Sequence, residues 1–174
     1  MNCFIIVAMS ADGYIAKDPK SPSTIWTSKE DKKRFVEITK NAGTIVVGLN
    51  TWNTFGGKAL KDRLNIIYSP EPIADLPENA EVTNKSPVEL LKSLEERGMK
   101  EVAICGGSQI YTMFMKAGVI NKLYLTIEPV IFGSGIRLFT QEIDNCNLIL
   151  KSIEKTDAGT LLLEYDISLR AVSI

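Results

Sequence analysis

The stretch Val102–Tyr111, V-A-I-C-G-G-S-Q-I-Y, constrains this chain more than any other. Val102–Cys105 runs without a polar break, as a strand covered on both faces does, and such strands belong to parallel sheets. Two glycines stop it. Ser108 then reads as an N-cap, with Ile110, Tyr111, Phe114 and Met115 behind it at helical spacing. Glycines between a buried strand and a helix start suit a phosphate, because the backbone can come close and the first helical turn offers unpaired N–H groups. They suit a tight turn with no ligand equally well, and the fuller G-x-G-x-x-G pattern is absent.

The strand-then-helix rhythm repeats along the chain. Cys3–Ala8 is an apolar run ended by Asp12-Gly13, with no basic segment before it, so it reads as a first strand and not as a signal peptide. Lys17–Thr24 is rich in Pro, Ser and Lys and reads as a mobile loop. A helix is predicted over Trp26–Asn41, capped by Thr27 or Ser28, with Glu30 or Asp31 closing a capping box and Gly43 ending it. Thr44–Gly48 is a second buried strand, Asn50–Thr54 a short helix capped by Asn50, and Leu64–Tyr68 a third strand. Ala80–Thr83 reads as a short edge strand. Pro87 opens a helix that Gly98 ends, with Leu90, Leu91 and Leu94 facing inward. Lys122–Ile131 is a long strand carrying Pro129, and Leu148–Glu154 pairs with Thr160–Leu169 as a closing antiparallel unit. Alternation followed by paired strands predicts one α/β domain over residues 1–174. Its central sheet is mostly parallel with an antiparallel C-terminal edge, and helices cover both faces.

Lysine plus arginine number 20 against 21 for aspartate plus glutamate, which gives nucleic acid no electrostatic footing. No apolar run approaches the ~18–20 residues of a membrane span. Cys3, Cys105 and Cys146 lie far apart and read as reduced thiols in a cytoplasmic protein. The chain has no histidine. That excludes Ser-His and Cys-His nucleophiles and the usual zinc sites, so no metal is expected.

One acid is out of place. Phe35, Ile38 and Ala42 follow Asp31 at +4, +7 and +11, which sets Asp31 on the apolar stripe of its helix. A carboxyl turned toward a core has a raised pKa and is a candidate for handling protons. A purely structural role stands beside this, since Asp31 at capping-box spacing from Ser28 can simply serve the helix start.

Taken together, F-I-I-V-A-M-S-A-D-G-Y-I-A, W-T-S-K-E-D-K-K-R-F, V-V-G-L-N-T-W, D-R-L-N-I-I-Y-S, A-I-C-G-G-S-Q-I-Y and L-Y-L-T resemble dihydrofolate reductase and its superfamily, which includes the reductase domain of riboflavin biosynthesis. The resemblance spans about Phe4 to Phe139. It implies a dihydrofolate reductase-like fold and NADPH-dependent reduction of dihydrofolate, with hydride passing to C6 and a proton to N5 of the pterin. NADH is an open second cofactor. Asp31 falls on the family's active-site carboxylate, Thr126 on the threonine that bonds it, and Trp26 on the tryptophan ending the mobile loop.

The substrate would meet Ile6, Asp31, Phe35, Phe55, Arg63, Cys105, Tyr111 and Thr126, with Arg63 taking a carboxylate. The cofactor would meet Ala8, Ile15, Gly48, Asn50, Thr51, Tyr68, Ser69, Cys105, Gly106, Gly107, Ser108, Gln109, Ile110 and Tyr111. Leu49 stands where many family members carry a phosphate-binding arginine, for which Lys58 or Lys61 would substitute. Lys32 replaces a hydrophobic residue, and T-I-E-P-V-I-F-G-S-G at 126–135 is closer to the riboflavin-pathway reductases. A ribosylaminopyrimidine reductase is therefore the first alternative and a nucleotide-binding module without catalysis the second. The resemblance leaves a monomer or a homodimer open.

Overall fold

Every apolar run named above becomes a strand of one sheet in a computed structural model that describes residues 1–168. The strands are β1 (Asn2–Ser10), β2 (Tyr14–Ala16), β3 (Thr44–Gly48), β4 (Leu64–Tyr68), β5 (Ala80–Thr83), β6 (Glu101–Ile104), β7 (Lys122–Glu128), β8 (Ile136–Arg137), β9 (Asn147–Lys155) and β10 (Leu161–Ser168). The helices are α1 (Lys29–Ala42), α2 (Leu49–Thr54), α3 (Pro87–Glu96) and α4 (Ser108–Lys116).

The large sheet has the order β5-β4-β3-β6-β1-β7-β10-β9. β5 to β7 pair in parallel, and β7–β10 and β10–β9 are antiparallel. Ile5, Ile104, Leu94 and Phe114 lie in the core on one face, with α3 and α4. Phe4, Ile45, Ala103 and Trp52 lie in the core on the other, with α1 and α2. The central strands β1, β3 and β6 carry the deepest residues because both of their faces are covered, which is why they read as unbroken apolar runs.

Several elements depart from the sequence reading. Helix α1 begins at Lys29, not Trp26, because Ser28 in extended conformation caps it; a short 3-10 turn, Ser23–Ile25, occupies the end of the supposed mobile loop. Gly48, not Asn50, precedes α2, and Gly107, not Ser108, is the N-cap of α4. Strand β7 stops at Glu128, one residue before Pro129, which has no N–H to offer a ladder. The two-stranded ribbon β2–β8 has no periodic signature and was missed. Leu169, expected to end the last strand, lies outside the described residues. Among the described residues, no helix is long and apolar enough to cross a membrane.

Candidate active site

A cavity of about 1250 Å³ opens beyond the carboxyl ends of β1, β3 and β6, bordered by α1 on one side and α4 on the other. Open α/β sheets bind ligands at this end of their strands. It gathers nearly all the candidate residues: Ile6, Ala8, Ile15, Asp31, Phe35, Gly48, Asn50, Thr51, Phe55, Arg63, Tyr68, Ser69, Cys105, Gly106, Gly107, Ser108, Gln109, Ile110 and Tyr111 all line it. Trp26 and Thr126 do not. Trp26 packs edge-on against Phe132 with ring centroids 5.0 Å apart, so it fastens a loop outside the cavity. Thr126 is buried in β7, behind Asp31.

The glycine wall is built for close approach. The Gly106–Gly107 peptide is cis, and Gly106 has φ +122°, a conformation L side chains rarely adopt. A Cβ on Gly106 would lie 3.3 Å from Tyr111 Oη and 3.4 Å from Thr51 Oγ1, and one on Gly48 would lie 3.0 Å from Ile110 Cγ1. The Gly48 N–H donates to the Gly106 carbonyl at 2.7 Å, locking the two turns together. Helix α4 starts without a side-chain cap, so its first-turn N–H groups face the cavity wall with their partial positive charge. Ser108 donates its hydroxyl to the Arg137 carbonyl at 2.6 Å, tying this turn to β8.

Asp31 does both jobs that its position suggested. Its backbone N–H donates to Ser28 Oγ at 3.2 Å as part of the helix cap, while its side chain lines the cavity. Burial pushes its carboxyl above the ordinary range, and the nearby Glu128 charge acts in the same direction; the hydroxyls of Thr126 and Thr27 and the Arg34 guanidinium act against them. Thr27, another cavity residue, is buried with its hydroxyl unpaired, and so is the Tyr68 hydroxyl. Unpaired buried polar groups are rare, and facing a cavity they are open positions for ligand atoms. Tyr111 donates its hydroxyl to the Ile6 carbonyl at 3.0 Å, so it supports the wall and keeps its proton, burial holding its pKa well above normal.

Arg63 is buried at the cavity's outer end. Its Nε donates to the Lys61 carbonyl at 3.0 Å and its Nη1 to Thr39 Oγ1 at 2.6 Å. Lys32 also lines the cavity, and the two are its only lining cations among the described residues. At the opposite end stand Leu49, Ser69, Thr83 and Asn84, whereas Lys58 and Lys61, expected to replace the missing arginine, line nothing there. Thr27 and Glu128 escaped the sequence reading. Glu128 left one trace, an acid at an inward-facing position of an otherwise apolar strand, two residues beyond Thr126.

A family model described as the RibD C-terminal domain matches residues 3–162. A structure from Shewanella sp. PV-4, provisionally assigned to riboflavin biosynthesis, superposes with a TM-score of 0.83 at 19% identity, covering 97% of this chain and 99% of that one. The diaminohydroxyphosphoribosylaminopyrimidine deaminase/5-amino-6-(5-phosphoribosylamino)uracil reductase of Thermotoga maritima superposes with a TM-score of 0.75 at 18% identity, covering 95% and 56%. The dihydrofolate reductase of Staphylococcus haemolyticus is 32% identical over 122 residues, 70% of this chain and 67% of that one. These findings correct the expected dihydrofolate reduction. The family match takes in nearly the whole chain, including the 126–135 segment and the strands after it, where the likeness to dihydrofolate reductase fades.

Proposed function

Since the chain belongs to the RibD C-terminal domain family, within the superfamily that also holds the dihydrofolate reductases, we propose that it is an NADPH-dependent reductase of a phosphorylated ribosylaminopyrimidine. One observation carries the reading. A single cavity joins the Gly106–Gly107 turn to a buried carboxyl, Asp31. Phosphate binding alone requires no such carboxyl, so this also speaks against a module without catalysis.

The residues present fit a nicotinamide dinucleotide. The tight space at Gly48 and Gly106 admits a ligand where a side chain would clash, and the α4 N-terminus would hold the pyrophosphate. Ala8 and Ile15 would border the nicotinamide, Thr51 would stand at the phosphate turn, and Ser69 would meet the adenosine ribose. The nicotinamide, when bound, supplies a hydride. In the ring-opened ribosylamine the C1′=N bond accepts that hydride at carbon and a proton at nitrogen, becoming CH–NH.

Asp31 is the chain's own proton-holding group beside this reaction, and Thr27 and Thr126 orient it. Phe35 and Phe55 would wall the pyrimidine ring. Arg63 and Lys32 match the dianionic phosphate of the sugar tail, which an apolar pocket mouth would not. The deciding experiment follows absorbance at 340 nm with 5-amino-6-(5-phosphoribosylamino)uracil or dihydrofolate, using NADPH and NADH side by side. Oxidation of the cofactor with the pyrimidine alone is expected. Turnover of dihydrofolate alone, or of neither, overturns the reading.

A further inference from the structure

Glu128 is the buried ionisable group that the site leaves unexplained. It ends β7 only 3% exposed, and no lysine or arginine pairs with it among the described residues. Its two oxygens are nevertheless fully engaged. Oε1 accepts the Ser28 N–H at 2.7 Å and the Ser28 hydroxyl at 2.8 Å, and Oε2 accepts the Thr160 hydroxyl at 2.7 Å. All three partners are donors, so the carboxylate acts purely as an acceptor.

Ser28 has a second task. Its hydroxyl gives its proton to Glu128 and accepts the N–H of Asp31, so one oxygen links the two acidic residues. Thr126 and Glu128 are two apart on β7 and share its inward face. Two side chains of one strand face therefore address the first turn of α1, Thr126 at the Asp31 carboxyl and Glu128 at the cap in front of it. A cap needs no glutamate from a neighbouring strand, and α3 shows the local alternative. There Ser86 and Glu89 form a reciprocal capping box within the helix itself. In α1 the Ser28 N–H is satisfied from β7 instead.

We propose that Glu128 is a positioning residue for Asp31. It acts through Ser28 to fix where the carboxyl stands, and it places a permanent negative charge behind it. Other groups acting on Asp31 are Arg34 of its own helix, the hydroxyls of Thr126 on β7 and of Thr27, and Tyr111 of α4. Glu128 is the only one of them that brings negative charge at neutral pH. Its effect on Asp31 is the same in sign as that of burial and opposite to that of Arg34.

The proposal rests on the proposed function only for its kinetic consequence, and its test is independent of activity. The Asp31 carboxyl carbon is followed by NMR through a pH titration of the full chain. Glu128→Gln keeps the shape and removes the charge, and is expected to lower the Asp31 midpoint by about half a pH unit. Ser28→Ala keeps the charge but takes away one of its donors, and is expected to raise the midpoint. General loosening of the helix start would not give opposite signs. If Glu128→Gln does not fold, Ser28→Ala with a raised midpoint supports the assignment by itself. An unmoved midpoint in a folded Glu128→Gln, or an unmoved or lowered one in Ser28→Ala, overturns it. A wild-type protein that titrates as described and yet fails to reduce the pyrimidine refutes the reaction and leaves Glu128's role standing.

Discussion

Arg63 donates Nη1–H to the hydroxyl of Thr39 at 2.6 Å, and Thr39 in turn donates to the Phe35 carbonyl at 2.6 Å. A guanidinium is thereby held against α1 by the helix itself, one turn past the aromatic ring that walls the cavity. Arg63→Lys keeps the charge and loses this anchorage. About tenfold weaker KM for the phosphorylated pyrimidine is expected, with kcat nearly unchanged, as for loss of one charge-assisted hydrogen bond. Steady-state kinetics with the phosphorylated and dephosphorylated substrates checks this, since only the former should be affected.

Asp31→Asn is expected to slow hydride transfer by about 10²–10⁴-fold while NADPH affinity changes less than about threefold. Single-turnover fluorescence of the bound cofactor separates the two. A variant with wild-type turnover would remove Asp31 from the chemistry.

The same substitution has a pH signature in stability. The folded carboxyl has its pKa raised, chiefly by burial, so between the unfolded value and the folded one the native state binds more protons than the unfolded state. Stability contributed by Asp31 therefore falls as pH rises through that window. The melting temperature of Asp31→Asn should gain on that of the wild type as pH increases from about 4 to neutrality. Parallel melting curves, with no such divergence, would contradict the raised pKa.

Asp12 accepts the N–H groups of Phe132 and Gly133 and the Ser10 hydroxyl, and these hold its carboxyl down at about 2. Its contribution is present above the unfolded value and is lost as pH falls from 3.8 toward 2. Asp12→Ala should free the 130–135 segment. Limited proteolysis at neutral pH should then cut there, where the wild type resists, while the melting temperature moves little.

Gly106→Ala tests the cofactor wall. The added Cβ must adopt φ +122° and press on Tyr111 Oη and Thr51 Oγ1. Strain of about 1–3 kcal/mol is expected, which at the lower end is near tenfold in NADPH affinity. Isothermal titration gives the number directly.

How much of this was legible in the sequence depended on periodicity. The strands β1, β3, β4 and β6 announced themselves because both faces are buried, and the glycine turn followed from where β6 stops. Asp31 was visible as an acid on an apolar stripe. The ribbon β2–β8 was not visible, since three-residue and two-residue strands carry no period. Glu128 was not either, because its partners Ser28 and Thr160 lie 100 and 32 residues away. Trp26 was misplaced for a related reason: its contact with Phe132 spans two loops, and nothing in the local sequence encodes it.

The order of the sheet has a consequence for how the molecule comes apart. Strand β9 is exposed along its whole length and is held by one neighbour, β10, whereas β1 and β6 sit three or more strands from either rim. Fraying begins at β9, and the layers that floor the cavity are the last to let go. Amide exchange should rise steeply from the middle of the sheet outward. The chemistry is thus insulated from disturbances at the far rim, where Leu148, Ile149, Leu150 and Ile153 meet solvent.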